Sequence, residues 1–205
     1  MTNEPQREHM QLHNDVFAFH GPHTRAADTL RATLARIVLS DSHAKCLAVV
    51  SCSSNAGRSV VAANLAVLLA RSGQRTVLID AARQRAQQHL LFGIEPDFRV
   101  AQITAVPGLT VMRATDSHPS LADTLVDAPA QFSQLITDLR AEYDCIVIDT
   151  ADHPDDLDAI SAAGMSDGAL VVVQRDGTRL QRLRKLTTEL KDSASTILGT
   201  VLTDS

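Results

Sequence analysis

The stretch Leu47–Gly73, LAVVSCSSNAGRSVVAANLAVLLARSG, narrows the possible folds more than any other part of the chain. It reads as an apolar strand over Leu47–Cys52, a loop of small residues over Ser53–Gly57, and a helix over Ser59–Arg71. That helix is apolar on nearly every side, so it must be buried rather than laid on a surface. Gly73 supplies its stop. Further strand-like runs fall at Arg75–Asp80, Leu109–Arg113, Cys145–Asp149, Ala169–Gln174 and Ile197–Leu202. Helical patterns at Thr24–Leu39, Ala130–Ala141 and Thr178–Lys191 lie among them. Strands apolar on both faces that alternate with helices predict a mostly parallel sheet with right-handed crossovers.

The core of such a sheet must be aliphatic here, because the chain has one Tyr, five Phe and no Trp. Its 205 residues suit one well-buried domain. Residues 1–19 are polar without a sustained apolar period and predict a flexible N-terminal arm, which leaves 20–205 as the domain. A formal charge of −5 argues against capture of nucleic acid, which needs clustered cations. No long uncharged apolar run predicts membrane insertion, so a cytoplasmic protein is expected, peripheral at a membrane only through a partner. Cys46, Cys52 and Cys145 lack paired spacing and read as structural thiols, and the eight His are scattered. Neither zinc nor haem is expected.

A strand, a small-residue loop and a buried helix in that order build a phosphate cradle, because backbone N–H groups and the helix N-terminus converge on one anion. The nucleotide-binding candidates are therefore Ser54, Asn55, Ala56, Gly57, Arg58, Ser59 and Val60. Against the pattern G-x-x-x-x-G-K-[ST], Gly57 and Ser59 fit and Arg58 stands in the lysine position. A guanidinium keeps the charge but is bulkier than an ammonium, so turnover should suffer more than affinity. Asn55 stands where a glycine often sits, and Asn tolerates positive φ best among the other residues. Asp80 and Asp149 each end an apolar strand, where a ligand site at the sheet top needs acids. They are the catalytic candidates, and with Ser59 the candidates for holding magnesium.

Together these segments resemble the bacterial tyrosine kinases of capsule and exopolysaccharide synthesis, which belong among the P-loop ATPases related to MinD and ParA. The resemblance runs from about Asn14 to Leu202 and is most specific around Asp80, His89, Leu91, Phe92 and Gly93, where members read I-D-A-D-L-R-R-P and then H-x-L-F-G. It implies a three-layer P-loop NTPase-like α/β fold, with about six or seven mostly parallel strands and helices on both faces. Three family positions are changed: Arg58 replaces the lysine, and Ala82 replaces the second acid of Asp-x-Asp. Ala56 also stands in place of a usual Glu. Arg25, Asp28 and Arg31 fall on the helix that in the family reads E-x-x-R-x-x-R and packs between subunits of a ring. The charge order of the first two is reversed here, which argues against a homodimer or ring built through that contact. The tyrosine cluster that ends many members is replaced by a single Tyr143, which reads as a packing residue.

These readings imply a degenerate ATPase-like regulator that docks on the cytosolic region of a membrane polysaccharide copolymerase or export protein. ATP or ADP with magnesium is the implied cofactor, held weakly or not at all. Two alternatives stay open: a weakly active ATPase or tyrosine kinase of the same pathway, and a MinD/ParA-like positioning switch. The switch reading lacks the early lysine of those loops, since Ser53–Ala56 contains none.

Overall fold

The computed structural model describes residues 11–39, 44–82, 86–113, 129–150 and 157–204. Seven strands form one sheet: β1 (Cys46–Ser51), β2 (Thr76–Asp80), β3 (Val100–Gln102), β4 (Leu109–Arg113), β5 (Cys145–Asp149), β6 (Gly168–Gln174) and β7 (Ile197–Thr203). The helices are α1 (Phe17–His20), α2 (Arg25–Leu39), α3 (Arg58–Arg71), α4 (Gln88–Phe92), α5 (Pro129–Glu142), α6 (Leu157–Met165) and α7 (Leu180–Asp192). The spatial order is β3-β4-β2-β5-β1-β6-β7, and every pairing is parallel except β3 with β4.

Alternation along the strands builds two cores. Leu47, Val49, Leu78, Val147 and Leu170 face α2 and α3, and the same cluster includes Leu30, Leu34, Leu65 and Leu68. Their neighbours Ala48, Val50, Ile79, Ile146, Ile148 and Val171 face the other way, with Ile136 and Leu139 of α5, Ala162 of α6 and Leu186 and Leu190 of α7. The result is three layers, as expected from strands apolar on both faces. Leu30, Leu34 and Ile37 are buried on α2, at the helical spacing read in the sequence.

The N-terminal boundary differs from the expectation. Leu12, Val16 and Ala18 are buried, and the segment from Gln11 to His20 lies against α3 and α4. Asn64, fully buried on α3, accepts from the Ala18 backbone N–H at 2.7 Å and donates to the Asp15 and Val60 carbonyls. His13 donates its backbone N–H to the Leu91 carbonyl. These contacts are few and specific rather than periodic, so the sequence pattern alone assigns residues 11–19 to an arm. Residues 1–10 of that arm lie outside the described residues.

Three further elements carry no sequence signal. Helices α1 and α4 are too short to show a 3.6-residue period, and β3 is a mostly exposed three-residue edge strand. Tyr143 packs partly buried against the second core, as a packing residue should. In the sequence Arg83 and Arg85 follow Asp80, and Asp152, Asp155, Asp156 and Asp158 form an acidic run after Asp149; all of these but Asp158 lie outside the described residues. Asp158 from that run sits buried in the first turn of α6.

Candidate functional site

The loop between β1 and α3 stands at the carboxyl end of the sheet, next to the ends of β2 and β5. Asn55 has φ +61°, and Gly57 has φ +75°. Asn55 thus takes the left-handed conformation that its residue type tolerates. Helix α3 begins immediately after Gly57, and its first bond runs from the Val61 N–H to the Gly57 carbonyl. Ser54 and Asn55 are exposed, Ala56, Arg58 and Ser59 are buried, and Gly57 and Val60 are half-buried. Two side chains from β6–α7 and β7 brace the loop. Thr178 meets the Ser53 hydroxyl at 3.0 Å, and the Thr203 hydroxyl donates to the Ala56 carbonyl at 2.9 Å.

Strand register does the rest. Asp80 and Asp149 are direct partners across the β2–β5 ladder, so two fully buried carboxylates stand side by side. Arg58 turns inward beneath the loop. Its Nε donates to one Asp149 oxygen at 3.2 Å and its terminal nitrogen to the Ser51 hydroxyl at 3.1 Å, with the side chain only 6% exposed. The inward turn differs from the role toward phosphate that its place in the motif predicts.

Gln88, at the start of α4, joins all of these groups and is absent from the residues that sequence reasoning selects. Its backbone N–H donates to Asp80 at 3.1 Å, and its amide donates to the other Asp149 oxygen at 2.8 Å and to the Ser59 carbonyl at 3.1 Å. Among the described residues, the Gln88 Oε1 meets no hydrogen-bond donor. A polar residue beside His89, just ahead of the apolar Leu90–Phe92, is the only signal the sequence offers for it. Ala82 donates its backbone N–H to Asp80 at 3.2 Å, and its side chain has no oxygen where Asp-x-Asp would carry a second carboxylate.

Burial, and then the neighbouring Asp149, push the Asp80 carboxyl up to about 7. Burial raises Asp149 as well, against the opposing pull of Arg58 and the hydrogen bonds from Gln88 and Ser59. Ser59, Asp80 and Asp149 stand together at the foot of the loop. Asp149 already takes Arg58, Gln88 and Ser59, and both Asp80 oxygens take backbone N–H groups. One lone pair stays open on each Asp80 oxygen, so this group can still offer oxygen to a magnesium ion, which takes near-octahedral oxygen ligands.

The candidate interaction residues are elsewhere. Arg25, Asp28 and Arg31 are exposed on α2, where Arg31 pairs with Asp28 of its own helix and donates to the Pro22 carbonyl.

The loop geometry and the paired strand-end acids agree with the likeness of this chain to known proteins. Residues 47–205 match the CobQ/CobB/MinD/ParA nucleotide binding domain. The chain belongs to this family. Among curated members, the tyrosine-protein kinase YwqD of Bacillus subtilis is 22% identical, over 94% of this chain and 86% of its own length. The succinoglycan biosynthesis transport protein ExoP of Rhizobium meliloti is 29% identical over 88% of this chain, which spans only 25% of that protein. Among solved members of the fold, the chimerical protein CapA2B2 superposes with a TM-score of 0.84 at 21% identity, covering 95% of this chain and 91% of that one. The septum site-determining protein MinD of Pyrococcus horikoshii, complexed with Mg-ADP, gives 0.61 at 22%, covering 77% and 69%. Homology to tyrosine kinases and a MinD-like nucleotide-binding fold therefore hold for this family member. Among its described residues, no helix is long and apolar enough to cross a membrane.

Proposed function

We propose that this chain is a regulatory, non-hydrolysing relative of the capsule and exopolysaccharide tyrosine kinases. It acts by docking on the cytosolic region of a membrane polysaccharide copolymerase or export protein. One observation carries the reading: the cation at the lysine position, Arg58, is buried against Asp149 rather than presented above the loop. The position of the second acid is filled by the methyl group of Ala82. Losing one preorganised charge in phosphoryl transfer commonly costs about 3 kcal/mol, or roughly a hundredfold in rate, and two such losses compound. The pathway is inferred from what the relatives are named for.

Phosphate release from ATP with magnesium, measured for the native chain and for the double variant Arg58→Lys/Ala82→Asp, tests this. The native chain should be inert and the double variant should gain activity. Rapid magnesium-dependent release by the native chain would overturn the reading. Co-purification with a membrane protein of polysaccharide export tests the partner, and consistent recovery without one would count against it. The second reading, a slow ATPase or tyrosine kinase, draws support from the retained skeleton. Ser59, Asp80 and Asp149 still stand together although two of their companions have changed.

A further inference from the structure

We infer that Gln11–His20 is a regulatory strap: it holds α4 against the acid pair, so drawing it off α3 withdraws the Gln88 donors from Asp80 and Asp149. The use of such a device rests on the regulatory reading above, whereas the coupling itself is independent of phosphate release.

Helix α4 spans five residues and is too short to hold itself. Its position is set by what meets its two ends. At its first residue, Gln88 donates its backbone N–H to Asp80 and its side-chain amide to Asp149 and to the Ser59 carbonyl. Its last turn meets the strap. The His13 N–H donates to the Leu91 carbonyl at 2.9 Å. The Gln11 backbone runs so close behind the helix that a Cβ on Gly93 would lie 2.6 Å from the Gln11 carbonyl oxygen. Leu12, Val16 and Ala18 are buried in the same apolar cluster as Leu91 and Phe92.

The strap is fastened to α3 in turn. Asn64 accepts from the Ala18 N–H and donates to the Asp15 carbonyl, and Arg71 donates to the Ala18 carbonyl and stands 5.4 Å from the centre of the Phe19 ring. The strap adds no strand to the sheet, so it can leave without breaking the β ladder. Segments held in this way open locally, at a lower cost than global unfolding. Gln11, His13, Asn14 and Asp15 are exposed while Leu12 and Val16 face inward, so a protein partner has a polar face to grip. Once the strap is drawn away, α4 loses the contacts at its last turn and a helix of this length cannot keep Gln88 in place alone. The strap and the acid pair therefore open as one unit.

Amide hydrogen exchange of the full chain without nucleotide, resolved by NMR, tests the coupling. Asn64→Ala should speed exchange of the His13 and Val16 amides, and of the Gln88 and Leu91 amides on α4, by at least about tenfold, with Leu186 and Leu190 of α7 at native rates. The Gln88 amide reads the site directly, because its bond is to Asp80. Fast strap amides beside Gln88 and Leu91 amides at native rates overturn the inference, as do strap amides that stay at native rates. Should the variant fail to fold, or speed every amide alike, exchange of the native chain in low denaturant decides. Strap and α4 amides that share one opening and one denaturant dependence support the unit, and separate openings sink it. Phosphate release by the native chain would fell the regulatory reading and leave the coupling standing, whereas uncoupled exchange fells the coupling alone.

Discussion

Replacing Arg58 by Met should destabilise the native chain by several kcal/mol, and the cost should grow with pH. The substitution keeps most of the buried volume but removes the cation that faces Asp149 at 3.2 Å. Breaking a buried ion pair by deleting one partner typically costs about 3–5 kcal/mol, because the remaining charge stays desolvated. At about 2.1 cal/mol/K per residue, unfolding 205 residues carries an entropy of about 0.43 kcal/mol/K. The melting temperature should therefore fall by about 7–12 °C at pH 8. Burial already raises the Asp149 carboxyl, and removing Arg58 takes away an opposing pull. Asp149 should then take up a proton more readily, so the cost shrinks at pH 5.5. The double variant Arg58→Met/Asp149→Asn should recover much of the loss, since no unpaired charge remains. Calorimetric melts of the native, single and double variants at both pH values form the assay. An Arg58→Met melt within about 2 °C of native at pH 8 would refute the reasoning, because a buried pair cannot lose its cation that cheaply.

Asp80 should give the native chain a stability component that falls with pH. A carboxyl raised to about 7 binds more protons folded than unfolded between about pH 4 and 7, so stability declines across that window and is flat above it. Asp80→Asn should flatten this slope, and a difference between native and variant melts that does not vary from pH 5 to 8 would contradict it. Asn64→Ala should cost about 2–3 kcal/mol and expose Gln11–His20 to protease, because two hydrogen bonds to that segment, and a third to the Val60 carbonyl of its own helix, go with one side chain. Unchanged cleavage there would show that Asn64 does not pin it. Gly93→Ala should cost at least about 1 kcal/mol by denaturant titration, since Gly93 has φ +61° and an added Cβ would lie 2.6 Å from the Gln11 carbonyl oxygen. A neutral outcome would mean that the Gln11 backbone can yield.

The six apolar strand runs, the all-round apolar helix after the loop, and the acids ending β2 and β5 are all legible in the sequence. Each is a local signal, a period or a residue type at the end of a run, and burial on both sheet faces turns it into structure. Gln88 is not legible. It sits on a five-residue helix with no period, and the partners of its side chain are 29 and 61 residues away along the chain. Arg58 is half legible: the sequence shows the loss of lysine, and only the packed loop shows the guanidinium turned under toward Asp149. The segment from Gln11 to Phe19 escapes sequence reading for a related reason, since Asn64 and Leu91 hold it through a few hydrogen bonds from distant elements.

By itself, then, the sequence determined the layer architecture and the residues offered to the site, because hydrophobic period and loop chemistry act over a few neighbours. Tertiary structure alone decided which of those residues meet. The β2–β5 register sets Asp80 beside Asp149, and burial of that pair draws Arg58 and Gln88 in to satisfy it. A desolvated carboxylate must find donors wherever the fold brings them.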